Sequence, residues 1–80
     1  MKAEILALKG KIQEAKLKLT EFETKADGLI ISIRMLLNPY DDISSLKIHT
    51  AKVQMYDLFC CWEEIRALKS QITKMERDLG

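Results

Sequence analysis

ILALKGKIQEAKLKLTEFETKADGLIISIRML, residues 5 to 36, carries apolar residues at Ile5, Leu8, Ile12, Ala15, Leu19, Phe22, Ala26, Leu29, Ile33 and Leu36, alternating steps of three and four without a miss. That alternation keeps all ten side chains on one stripe of a helix, the seam by which coiled-coil helices pair. LFCCWEEIRALKSQITKMERDL, residues 58 to 79, repeats the pattern at Leu58, Cys61, Ile65, Leu68, Ile72, Met75 and Leu79. Between the seams lies Asn38-Pro39-Tyr40-Asp41-Asp42. Pro39 disfavours helical geometry at Asn38, Asn tolerates the left-handed conformation that ends helices, and the two aspartates can cap a following helix. The predicted fold is all-α: an antiparallel, coiled-coil-like two-helix hairpin forming one domain over residues 1–80. Its helices are expected at about 2–37 and 43–79, with a loop at about 38–42. Asp27-Gly28 alone would read as a turn, but the seam crosses it in register from Phe22 and Ala26 to Leu29 and Ile33, so one helix is expected there.

Eighty residues give a single core that is marginal without help from a disulfide, a metal or a partner. Cys60 and Cys61 are adjacent within a predicted helix, where bridging them would distort the backbone, and no Cys/His spacing resembles a metal site. Oligomerisation is the remaining route. Thirteen Lys and Arg against twelve Asp and Glu give almost no net field to draw in a polyanion or an acidic membrane. The amino end lacks an apolar core of signal-peptide length. The greasiest run, Gly28 to Leu37, is interrupted by Arg34. The expected setting is cytoplasmic, off the membrane, with reduced thiols.

Setting Ile5 opposite Met75 and Leu29 opposite Ala51 aligns the two seams. Charges beside them tolerate this register without enforcing it: Lys25 nears Asp57, Lys18 nears Glu64 and Lys2 nears Glu76, while Glu4 meets Asp78 and Lys9 meets Lys69. Such exposed pairs are worth only about 0.2 to 1 kcal/mol each. The same register places Gln54 against Ala26 and Lys47 near Ile33, so the second seam degrades towards the loop. Other stripes take over there. Ile48, Met55 and Trp62 recur every seven residues beside the seam, Leu46, Val53 and Cys60 on another flank, and Tyr56 and Phe59 add to them. In helix one, Ile30 and Leu37 fall on the flank of Trp62, with Ile31 and Met35 further out. A helix greasy on several sides is buried by more than one neighbour.

The expected function is therefore a non-enzymatic protein–protein interaction or assembly module, with the chain itself as its partner. The expected assembly is a homodimeric four-helix bundle joined through Ile30, Leu37, Ile48, Met55, Phe59 and Trp62, and a second protein is a further candidate partner. The alternative is a small nucleic-acid-binding or regulatory protein using the heptad-spaced lysines of helix one, Lys2, Lys9 and Lys16 or Lys11, Lys18 and Lys25. Glu14, Glu21 and Glu23 interrupt that track and no aromatic stands among the lysines to stack a base. No catalytic, cofactor or metal residue is expected. His49 has no carboxylate or second ligand at helical spacing, and Ser44 and Ser45 have no base in view. Glu63 and Glu64 point about 100° apart on a helix and cannot share a proton.

Overall fold

A computed structural model describes residues 2 to 79. Two long helices, α1 (Lys2–Leu36) and α2 (Ile48–Leu79), run antiparallel against each other, joined by a connection that contains a 3₁₀ turn at Ile43–Ser45. The hairpin measures 63 × 16 × 14 Å, a rod two helices wide. Among the described residues there is no strand. Helix α1 passes through Asp27-Gly28 without a break. Its threonines stay in the helix by donating their hydroxyls one turn back, Thr20 to the Lys16 carbonyl at 3.1 Å and Thr24 to the Thr20 carbonyl at 2.9 Å.

The chain reversal differs from its expected form. Helix α1 closes with the Leu37 amide donating to the Ile33 carbonyl at 2.9 Å, after which the Asp41 amide donates to the Asn38 carbonyl at 3.2 Å. This is a turn with Pro39 at its second position, where a fixed φ suits it. Asn38 does not adopt the left-handed conformation, since no described non-glycine residue has positive φ. Its side chain stops the helix instead, with Oδ1 accepting the Tyr40 amide at 3.0 Å.

Asp42, at φ −63° and ψ 135°, opens the 3₁₀ turn. Its carbonyl accepts the Ser45 amide at 3.0 Å and the Ser45 hydroxyl at 2.7 Å. Its carboxylate is taken by the Ser44 hydroxyl and caps no amide. Leu46 then lies extended, φ −69° and ψ 139°, so the second helix begins at Ile48 rather than near Ile43. Hydroxyls next to an aspartate offered the backbone a local alternative to the helix.

This longer reversal moves the register. Each residue by which the turning point shifts along the chain changes the facing pair by two. Moving it from Tyr40 to the 3₁₀ turn therefore slides the seams by about one heptad. Met75, only 8% exposed, belongs to a buried cluster with Ile12, Ala15, Leu68 and Ile72, and Leu8, Leu19 and Phe22 pack against it. Ile5, its expected partner, is 48% exposed and lies past the end of the paired region. Lys16 Nζ reaches Glu76 Oε1 at 3.8 Å. The expected register would hold that pair about 18 Å apart along the axis at 1.5 Å per residue, beyond the combined reach of the two side chains. A slip of one heptad sets apolar on apolar again, so the seam pattern alone does not choose between the two.

Along the paired region the seam positions are buried or half-buried, through Ala26, Leu29, Ile33 and Leu36 in α1 and Ala51, Leu58, Cys61 and Ile65 in α2. Ala15, Ala26 and Ala51 let the helices approach closely at three levels. Gln54 is the polar member of the seam. Its side-chain Oε1 is buried and accepts no hydrogen bond, which costs about 1 to 3 kcal/mol.

Two consequences are measurable by chemical denaturation. Ile12→Ala should lose about 2 to 4 kcal/mol by opening the terminal end of the core, whereas Ile5→Ala should lose well under about 1 kcal/mol because that side chain is already half wet. Equal losses would restore the register that pairs Ile5 with Met75. Gln54→Leu should raise the unfolding midpoint, gaining about 1 to 3 kcal/mol by removing the orphaned oxygen.

Candidate functional site

The two flanks of the seam differ in chemistry because the residues adjoining each seam position differ. On one side stand Lys11, Lys18 and Lys25 in α1 and Asp57, Glu64 and Asp78 in α2, all exposed. This side is polar, basic on one helix and acidic on the other. The opposite flank is formed by residues one position after a seam residue. Towards the termini these are Lys9, Lys16, Glu23, Lys69 and Glu76; towards the loop they are Ile30, Leu37, Ile48, Met55 and Trp62. One flank therefore changes from charged to apolar along its length.

The six residues expected to form an interface are 41% to 53% exposed. Helical geometry accounts for this: a position next to the seam lies partly under the neighbouring helix and partly in water. Four of them, Ile30, Met55, Phe59 and Trp62, together with the half-buried Leu58, line one open groove that presents no polar surface. Leu37 edges a separate hollow with Ile31, Met35 and Pro39 at the end of α1. Ile48 stands on the same flank at the start of α2. The stripe of Val53 and Cys60 is exposed, while Leu46 is half-buried beside the reversal.

Trp62 is the rigid part of the groove. Phe59 lies against it with ring centroids 5.7 Å apart and planes inclined by 30°. The guanidinium of Arg66, one turn further on, sits over its indole at 4.8 Å from the centroid. Contacts of this kind contribute about 0.5 to 1 kcal/mol at an exposed site and restrict the rotamers of both partners. Leu58 and Arg66 were absent from the expected interface. The four-residue step from Trp62 to Arg66 was a sequence signal for the second of them.

Other chemistry-bearing residues lie apart. His49 is exposed at the start of α2, Cys60 is an exposed free thiol and Cys61 a buried one within the seam. No group of three or more potential metal ligands is found among the described residues. Among the described residues no helix is long and apolar enough to cross a membrane. The chain matches no protein-family model, no curated protein and no solved structure.

Replacing Arg66 with Ala should leave the far-ultraviolet circular dichroism unchanged, lower stability by about 0.5 to 1 kcal/mol and shift the emission of the single tryptophan to the red. An unchanged emission spectrum would show that Arg66 does not shield the indole in solution.

Proposed function

We propose that this chain is a non-enzymatic assembly module that self-associates through the apolar half of its flank, forming a homodimeric four-helix bundle in the reducing cytoplasm. The reading rests on one observation: six large apolar side chains are held half wet on the same side of a rod whose paired seam is otherwise closed. Completing their burial is worth about 1 kcal/mol each, taking half of the value for a fully buried side chain. Two copies together then gain about 12 kcal/mol, against an association cost of about 4 to 15 kcal/mol. With the cost near about 4 kcal/mol the net is about −8 kcal/mol, a micromolar dimer; with the cost near about 15 kcal/mol this burial does not hold two copies together.

A second copy suits this surface for a further reason. A two-fold contact covers the patch on both copies with the same residues, while Ile31, Met35, Val53 and Tyr56 stay exposed elsewhere on the rod. The thiols fit the same picture, Cys61 acting as a small hydrophobe in the seam.

The double variant Met55→Glu with Trp62→Glu should retain its helical circular dichroism and sediment as a monomer at concentrations where the unaltered chain is dimeric. An unchanged sedimentation mass would remove this flank from the interface. An unaltered chain that stays monomeric at hundreds of micromolar would remove self-association altogether.

A further inference from the structure

Building on that self-association, we infer the orientation of the two hairpins: they dock antiparallel, so that the acidic closed end of each copy, Asp41 and Asp42, lies against Arg66 and Lys69 of the other. The spacing of the flank supplies the first argument. Ile48, Met55 and Trp62 are separated by two equal steps of one heptad, about 10 Å each at 1.5 Å per residue. A two-fold axis perpendicular to the rod at Met55 therefore lays Ile48 of one copy on Trp62 of the second and Met55 on its own counterpart. The apolar stretch is matched along its length, and the charged terminal halves extend past each other into water.

Charge supplies the second argument. The closed end projects beyond Ile48 by the 3₁₀ turn, about 6 Å at 2 Å per residue, so the aspartates stand about 16 Å from the axis. Arg66 and Lys69 stand about 16 and 21 Å from the axis on the other side. Each copy thus presents Asp41 and Asp42 beside Lys47 at the level where the second presents Arg66 and Lys69 with Glu23 across the seam, a net negative group against a net positive one. Neither aspartate makes an ion pair among the described residues, and neither does Arg66 or Lys69. Arg66 is moreover placed over the Trp62 ring, 4.8 Å from its centroid, and its guanidinium can donate to a carboxylate.

The parallel alternative matches the same apolar stripe residue on residue, and it is charge that disfavours it. It would gather four aspartates at one end and bring Lys16 within about 3 Å axially of Lys69 in the second copy. Like charges placed together in this way oppose association.

The test is a charge swap followed by sedimentation at a fixed low salt concentration. Asp41→Lys with Asp42→Lys, and separately Arg66→Glu with Lys69→Glu, should each weaken self-association at least tenfold. An equimolar mixture of the two should recover the dimer mass, because every swapped contact is again between opposite charges. Asp41→Asn with Asp42→Asn, which keeps a side-chain acceptor for the Ser44 hydroxyl, should show a milder loss. Either swap leaving the affinity unchanged, or a mixture no tighter than its components, overturns the antiparallel arrangement while the unaltered chain still dimerises. A monomeric unaltered chain instead overturns the self-association on which the orientation rests.

Discussion

Two helices can close only one seam between them, and this constraint governs the rest of the molecule. Each helix of the hairpin contributes a single stripe to the core, and the structure fills it from Leu8 to Leu36 on one strand of the rod and from Ala51 to Met75 on the other. Apolar side chains off that stripe have no internal cover available. In a larger domain a third element would take Ile30, Met55 and Trp62. Here the same residues form an open groove.

The connection between the helices has more influence than its length suggests. Asn38 and Asp42 direct their side chains and carbonyls into local hydrogen bonds, Pro39 starts a turn, and the extended Leu46 delays α2 until Ile48. This small rearrangement slides one helix along the other by about a heptad. It leaves Ile5 outside the core and brings Lys16 to Glu76, while Gln54 stays in the seam with a buried oxygen that accepts no hydrogen bond. A polar residue in a seam lowers stability while disfavouring alternative pairings. Gln54 occupies such a position in a hairpin whose repeating pattern otherwise allows slippage.

The asymmetry of the two flanks follows from which residues adjoin the seam. One flank carries lysines on α1 and carboxylates on α2 among other polar residues and stays wet at little cost. The other is charged towards the termini and apolar towards the loop, with Trp62 fixed between Phe59 and Arg66. A rigid aromatic at the edge of a carbon-lined groove loses little rotamer freedom on contact. An adjacent guanidinium adds a directional polar contact where the apolar surface ends.

Much of this was legible in the residues. The three-and-four spacing determined two helices, their continuity across Asp27-Gly28 and which residues face inwards, because helical period is a local property that each turn repeats. The heptad of Ile48, Met55 and Trp62 likewise revealed a surplus of apolar surface beside the seam. Only the tertiary structure decided which level of one helix meets which level of the other, because a repeating stripe matches itself at every heptad and the choice is made by the hydrogen bonds of the reversal. It alone also showed that Leu58 lines the groove and that Arg66 shields Trp62, since such contacts depend on where side chains come to rest after the seam has closed.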